Sequence, residues 1–197
     1  DHLTLQHLAA AGLDCTVVRA EPSAPLRDGD PGSYQAVVIA PVFDPVASLS
    51  PAWLDRLEAA VRDGRTGLLY VGYNTTAYVS GRYEVREPSG SRLESLLPAT
   101  FATDCYGNSA DPAPDLALAA RRRHPCWSGV DLSGAPALGR RLRLHARCET
   151  AVIAQAGADP VIIAGTLGRG RTLACTLPWG GHQFQGFGFR SWLPGQR

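Results

Sequence analysis

Two continuous apolar runs, separated by one amphipathic segment, constrain the fold of this chain more than any other feature. The runs are AVVIA at Ala36–Ala40 and GLLYVG at Gly67–Gly72, and strands that are apolar on both faces are typical of parallel sheets covered on both sides. The segment between them predicts a helix from Pro51 to Arg62 with Ser50 as its N-cap. A strand, a helix and a strand in this order form a right-handed crossover. We therefore expect the two runs to be neighbouring parallel strands in the centre of a sheet.

The same alternation continues on both sides of this unit. Leu3–Ala11 carries apolar residues at helical spacing and ends before Gly12, and Cys15–Arg19 follows as a short β-branched strand. Three later extended segments are Ala151–Gln155, Val161–Thr166 and Thr172–Thr176. Their short, turn-like links are typical of hairpins. The sequence therefore predicts one α/β domain over residues 1–197, a flavodoxin-like three-layer sandwich whose central sheet is mostly parallel and partly mixed.

Composition argues against several classes of function. The formal net charge is +1, so we expect no binding to nucleic acid or to an anionic membrane, and no apolar run approaches the roughly 20 residues of a membrane span.

The 5 cysteines form no CxxC pair and no metal-type spacing with histidine, which predicts no metal site and a reducing, cytoplasmic compartment. All 19 basic residues are arginine, a bias typical of GC-rich bacterial genes. Without lysine there is no Schiff-base or phosphate-loop lysine, and we expect no cofactor.

Polar and aromatic residues follow three of the predicted strands at their carboxyl ends, where open α/β sheets bind ligands. They are Asp44 after the second strand, Tyr73 and Asn74 after the third, and Trp179 and His182 after the last. Asp44 precedes a proline, so turn chemistry is the alternative for it. For His182 the alternatives are a base or ligand-binding group and a ring packed on Trp179 or Phe184. We expect Asn74 and His182 to face one cleft.

The segment LLYVGYNTTAY has the layout of a nucleophile elbow, in which a strand passes through a tight turn and exposes one side chain. Asn74 occupies the exposed position. An amide side chain donates and accepts hydrogen bonds, but it does not attack a carbonyl carbon. An acidic partner two residues after His182 is also missing, because Phe184 stands there. The sequence therefore predicts no catalytic triad.

The order of these motifs resembles the class I glutamine amidotransferases, and among them the uncharacterised relatives of the trehalose-utilisation proteins. The matching positions are His124, Pro125 and Gly129 in HPCWSGV, Gly168, Gly170 and Arg171 in GRGR, and Trp179 and His182 after the last strand. The similarity covers nearly the whole chain. It implies that a first strand before Asp1 and a last helix after Arg197 are missing. The chain departs from the group at Pro41–Asp44, where the acidic residue would be expected earlier.

The resemblance and the residues together predict an amidotransferase-like domain without the cysteine nucleophile, which binds a small polar metabolite at the strand ends and is not a working glutaminase. His182 would be its catalytic group, and Asn74, Tyr73, Asp44 and Trp179 would bind the ligand. The alternative is a catalytically silent domain for assembly or regulation, acting as a homo-oligomer or inside a larger parent chain. A third hypothesis, a hydrolase that uses the loop thiol of Cys105, has less support.

Overall fold

The structure is a computed structural model that describes residues 9–10, 12–18, 20–21, 23–39, 45–71, 76–79, 82–85, 91–101, 118–121, 124–125 and 144–176. Among the described residues the helices with both ends described are α1 (Pro45–Ser48) and α2 (Pro51–Arg62), and Ala9 and Ala10 are also helical. The strands are β1 (Ala36–Ile39), β2 (Gly67–Val71), β3 (Thr76–Val79), β4 (Arg82–Val85), β5 (Ala99–Phe101), β6 (Leu118–Ala120), β7 (Leu144–Ala146), β8 (Ala151–Ala156), β9 (Asp159–Leu167) and β10 (Gly170–Cys175). Short 3-10 turns cover Pro31–Ser33 and Glu94–Leu96.

A six-stranded mixed sheet organises the molecule, in the order β1-β2-β10-β9-β8-β6. β2 pairs in parallel with β1 on one side and with β10 on the other. The pairs β10–β9, β9–β8 and β8–β6 are antiparallel, so β8 runs in the same direction as β1, β2 and β10. Two further pairs, β3–β4 and β5–β7, form separate two-stranded sheets. The described part of the chain is therefore a mixed α/β protein, as the sequence predicts.

Helix α2 forms as its sequence predicts and packs against one face of the sheet. The Ser50 hydroxyl accepts a hydrogen bond from the Trp53 backbone N–H at 3.3 Å, which caps the helix. Its apolar stripe, which includes Leu57 and Val61, is buried against strand residues such as Ile163. The opposite face of the sheet is also buried, but no helix among the described residues contributes a side chain to its apolar cluster.

Two predictions about the outer strands are wrong. The run at Ala36–Ala40 does pair in parallel with Gly67–Val71, but β1 is the outermost strand of the described sheet rather than a central one. Cys15–Val18 is exposed and forms no strand, although its β-branched sequence favours one. A strand needs a hydrogen-bonded neighbour, and no described residue pairs with this segment. Cys15 of this segment is exposed, whereas Cys175 of β10 is buried.

The turn between β9 and β10 is in direct contact with the end of α2. Gly168 has φ 61°, and the backbone N–H of Arg169 donates to the Arg62 carbonyl at 2.9 Å. A Cβ on Gly170 would lie 2.1 Å from the Val61 carbonyl oxygen. The GRG sequence is therefore a tight turn between two strands, as predicted, and its glycines let the hairpin reach the helix backbone.

Two buried threonines, Thr172 in β10 and Thr176 directly after it, differ in whether their hydroxyl groups have a hydrogen-bond partner. The Thr176 hydroxyl donates to the Val161 carbonyl at 3.4 Å, and the Thr176 backbone N–H donates to the same oxygen at 2.9 Å. The buried Thr172 hydroxyl has no hydrogen-bond partner in the described part of the chain. Burying a hydroxyl group without a hydrogen bond lowers the free energy of unfolding, and an apolar side chain of the same shape avoids this loss.

The glycine contact predicts a specific loss of stability. Gly170→Ala places a methyl group against helix backbone that cannot move aside, and we expect a loss of at least about 2 kcal/mol in the free energy of unfolding. Gly67→Ala is the matched control, because a Cβ there would meet its nearest atom at an ordinary 3.6 Å; we expect its effect to stay below about 1 kcal/mol. Urea denaturation followed by circular dichroism measures both, and equal effects would contradict the packing argument.

The threonine pair predicts effects that differ although the substitution is the same. Thr172→Val removes an unpaired hydroxyl and should leave stability unchanged or raise it, whereas Thr176→Val removes a hydrogen bond. We expect the two variants to differ by about 1 kcal/mol in the free energy of unfolding. Thermal unfolding of both variants beside the parent protein measures the difference, and a more stable Thr176→Val variant would show that the hydroxyl contributes nothing.

Candidate functional site

Three neighbouring parallel strands end level with one another at one edge of the sheet. Ile39 at the end of β1 is in register with Tyr70 of β2, and Val71 at the end of β2 is in register with Cys175 at the end of β10. Adjacent strands lie about 4.8 Å apart. The chain therefore leaves all three strands within a narrow strip, which we call the carboxyl edge.

Each predicted site residue lies in a segment that begins at this carboxyl edge, and each lies outside the described residues. The five are Asp44, Tyr73, Asn74, Trp179 and His182. The described chain ends at Ile39, Val71 and Thr176 before these segments and resumes at Pro45 and Thr76 after the first two. The structure thus places the strand ends from which the candidate residues follow, and the distances between their side chains stay a prediction.

Chain length limits where two of these residues lie. Asn74 is three residues beyond Val71, and an extended chain spans at most about 3.6 Å per residue, so its Cα lies within about 11 Å of the end of β2. Asp44 directly precedes Pro45, the first residue of α1. His182 is six residues beyond Thr176, which leaves its position much less constrained.

The base of the carboxyl edge is tightly packed. Val71, Cys175 and Thr176 are all buried, and the two hydrogen bonds from Thr176 to the Val161 carbonyl tie the end of β10 to β9. The segment with Trp179 and His182 therefore starts from a fixed point, three residues before Trp179.

Tyr70 is a residue near this edge that the sequence reasoning did not single out. It is the second-last residue of β2, and burial of the phenol raises its pKa. Its ring meets Phe101 edge-on, with centroids 5.5 Å apart and planes at 80°, a favourable geometry for aromatic pairs. Because its phenol remains protonated at neutral pH, Tyr70 is a packing residue beneath the edge rather than a base. The one feature of the sequence that could have singled out Tyr70 is its polar hydroxyl group in the otherwise apolar strand GLLYV.

The buried carboxylate of Glu94 holds Phe101, the aromatic partner of Tyr70, in place. Glu94 accepts a hydrogen bond from the Phe101 backbone N–H at 3.0 Å. The Arg147 guanidinium donates to the carbonyl oxygens of Leu97 and Glu94 at 3.1 and 3.2 Å. These bonds link the segment before β5 to the segment after β7. The chain from residue 91 to 101 therefore supports the aromatic contact at Tyr70.

Other sequence candidates do not converge on the carboxyl edge. The GRG turn precedes β10 and lies at the opposite, amino-terminal end of that strand, so Gly168, Gly170 and Arg171 are not part of the candidate site. Arg121 is exposed and follows β6 at the far side of the sheet. His124 is half-buried, and Gly129 lies outside the described residues, as do Cys105 and Cys126.

Within the described ranges, no group of three or more histidine, cysteine, aspartate or glutamate side chains is arranged to hold a metal ion. The described cysteines, Cys15, Cys148 and Cys175, are free thiols. None of the helices in the described part of the chain is long and apolar enough to span a membrane.

Comparison with known proteins yields structural similarity alone. No protein-family model matches the sequence, and no curated protein matches it. The solved structures that share its fold include two Salmonella proteins. The cytoplasmic protein STM1381 from Salmonella typhimurium LT2 is 17% identical at a TM-score of 0.61, over 98% of this chain and 80% of that one. The cytoplasmic protein STM3548 from Salmonella typhimurium is 18% identical at a TM-score of 0.62, over 94% of this chain and 80% of that one. At these identities the likeness shows a shared fold.

Proposed function

We propose that this chain is a class I glutamine amidotransferase-like domain that has lost the cysteine nucleophile and binds a small polar metabolite at the carboxyl edge. The proposal takes residues 1–197 as one flavodoxin-like domain. It needs no cofactor and no metal ion, because the residues expected to bind the ligand are an amide, a carboxylate, an imidazole and aromatic rings.

One observation carries this proposal. β1, β2 and β10 are consecutive parallel strands whose ends are in register, so the segments that contain Asp44, Asn74 and His182 all leave from the same edge. In open α/β sheets this edge is where ligands bind. Segments that left from opposite edges would have no common site, and the parallel pairing on both sides of β2 favours the arrangement that the proposal needs.

The residue types define the ligand chemistry. Asn74 donates and accepts hydrogen bonds, and Asp44 accepts them or pairs with a cation. Trp179 and Tyr73 offer aromatic surface with a polar tip. His182 is the group in this set whose unperturbed titration falls near neutral pH, so any catalysis would be proton transfer by His182. A ligand with several polar groups on a small carbon frame fits such a set.

The same residue types argue against glutaminase activity. Hydrolysis of glutamine by the amidotransferase route requires a thiolate that attacks the amide carbon and forms a covalent intermediate. Asn74 stands at the elbow position, and its amide cannot form that intermediate. The domain would therefore bind its ligand without releasing ammonia from glutamine.

A catalytically silent assembly or regulatory domain is the second candidate function. Two observations favour it: the elbow position carries no nucleophile, and a group of large apolar side chains is exposed between residues 13 and 38. Under either function we place the protein in the cytoplasm, in keeping with the names of STM1381 and STM3548 and with free, exposed thiols at Cys15 and Cys148.

Ligand-dependent thermal stabilisation tests the proposed binding function. A panel of L-glutamine, L-glutamate, citrate and glucose is added to the parent protein, and we expect at least one compound to raise its Tm, because a ligand that binds the folded state stabilises it by mass action. His182→Ala and Asn74→Ala should each weaken that binding at least about tenfold, the loss expected for one hydrogen bond to a buried polar ligand. L-glutamine should release no ammonia, whether it binds or not.

Gln35→Ala is the control, because Gln35 is exposed and precedes β1 at the opposite edge of the sheet. It should keep the full ligand response. An equal loss of ligand-dependent stabilisation in all three variants would show a general effect on the fold. Stabilisation that is the same in His182→Ala, Asn74→Ala and the parent would place the ligand elsewhere, and a panel without any effect would favour the silent domain.

A further inference from the structure

The hairpin between β8 and β9 turns at the carboxyl edge, beside the three parallel strand ends. β8 runs in the same direction as β1, β2 and β10, so its last residue, Ala156, lies at that edge. Ala156 is in register with Asp159, the first residue of β9. Gly157 in the turn between them has φ 59°, a conformation that glycine adopts without strain. The hairpin therefore brings a carboxylate, that of Asp159, to the carboxyl edge.

This hairpin extends beyond the described end of β10. The Thr176 backbone N–H donates to the Val161 carbonyl at 2.9 Å, and Asp159 is two residues before Val161 in the antiparallel strand β9. An antiparallel strand rises about 3.4 Å per residue, so Asp159 lies about 7 Å beyond that hydrogen bond, in the direction in which β10 runs. Asp159 is half-buried there, beside the point from which the segment with Trp179 and His182 starts.

The two ends of the sheet differ in the sign of their charge. At the amino-terminal end of β10, Arg169 and Arg171 are exposed, and no described acidic side chain forms an ion pair with either. The end of α2 adds Arg62 and the loop after it adds Arg65, whose charges are compensated by neighbouring carboxylates. Of the described residues with which β1, β2, β8, β9 and β10 end or begin at the carboxyl edge, only Asp159 is charged.

The segments that lead to the candidate site extend this difference in charge. Residues 40–44, 72–75 and 177–185 contain one carboxylate, Asp44, and one histidine, His182, and no arginine or lysine. An anionic ligand at this edge would therefore find no guanidinium to pair with, whereas a protonated amine would find carboxylates.

The first turn of α2 offers an anion little compensation. The helix ends against the amino-terminal end of β10, so it begins toward the carboxyl edge, and a helix N-terminus favours negative charge. The Trp53 backbone N–H is already bonded to the Ser50 hydroxyl, and Pro51 has no N–H group. These two positions therefore have no N–H group left to donate to a ligand.

We infer that the carboxyl-edge site takes a small polar ligand with a protonated amino group, and that Asp159 is the ion-pair partner of that group. The inference rests on the binding function proposed above and names the ligand class. Charge-assisted hydrogen bonds from an ammonium group to a carboxylate are short and strong. A carboxylate accepts several hydrogen bonds at once, so Asp159 can hold a contact within the chain and still bind the ligand. Its place in a hydrogen-bonded hairpin fixes the position of its backbone.

Charged nitroxide probes test the sign of the charge without any ligand. Cationic aminomethyl-PROXYL and anionic carboxy-PROXYL are added separately, and the broadening of backbone amide signals is measured by NMR. Gly157 and Ala158 should be broadened more by the cationic probe, and Gly168 and Arg169 more by the anionic one, because each edge attracts the opposite charge. Asp159→Asn should remove the preference at Gly157 and Ala158. The same preference at both turns would overturn the inference.

Matched ligand series test the chemical class. Putrescine, 1,4-butanediol and succinate share a four-carbon frame, and D-glucosamine, D-glucose and D-gluconate share a six-carbon frame; their affinities are measured by isothermal titration calorimetry. In at least one series the amine should bind at least about tenfold more tightly than the neutral and anionic members. Asp159→Asn should remove that preference and leave binding of the neutral member unchanged. Asp63→Asn is the matched control, because it removes the same charge from an exposed residue at the other end of the sheet, and it should keep the preference.

The outcomes separate this inference from the function on which it rests. Tighter binding of a neutral or anionic member would overturn the ligand class, while the binding itself would support the proposed function. An amine preference that Asp159→Asn leaves intact would show that Asp159 is not the partner. Both series without any binding would contradict the proposed function, and the inference would fail with it.

Discussion

The parallel pairing of β2 with β1 on one side and β10 on the other is the interaction on which the rest of the structure depends. It brings together residues that are more than 100 positions apart in the chain, since Leu68 is in register with Thr172. It aligns three strand ends at the carboxyl edge, and it leaves β1 as the outer strand of the described sheet. The strand ends at the candidate site are therefore a consequence of this one pairing pattern.

The contact between α2 and the β9–β10 turn keeps that pairing in place. The helix backbone at Val61 and Arg62 approaches Gly168 and Gly170 so closely that a Cβ at either position would clash with it. This contact lies at the amino-terminal end of β10, whereas Thr176 ties the other end to β9. β10 is fixed at both ends, so the segment that leads to Trp179 and His182 begins from a rigid strand.

Local signals in the sequence were enough to predict α2 and the turns. They were not enough to predict which distant strands pair with each other. Ser50 and Pro51 set the start of α2 through groups within one helical turn, and Gly168–Gly170 set the hairpin in the same way. Cys15–Val18 and the edge position of β1 depend on which strand lies beside them, and periodicity carries no such information. The Tyr70–Phe101 contact likewise depends on Glu94 and Arg147, distant residues that hold Phe101. The candidate site was predictable only as a set of strand ends.

The central claim is that Asn74 and His182 face one cleft at the carboxyl edge. Paramagnetic relaxation measures this directly when a nitroxide is attached to Asn74→Cys, with Cys15, Cys105, Cys126 and Cys148 replaced by serine and the buried Cys175 retained, and the imidazole signals of His182 are observed by NMR. A nitroxide on Gln35→Cys, at the opposite edge of the sheet, is the reference. We predict strong broadening of the His182 signals from position 74 and much weaker broadening from position 35. Equal broadening from both positions, or stronger broadening from position 35, would contradict the proposed site.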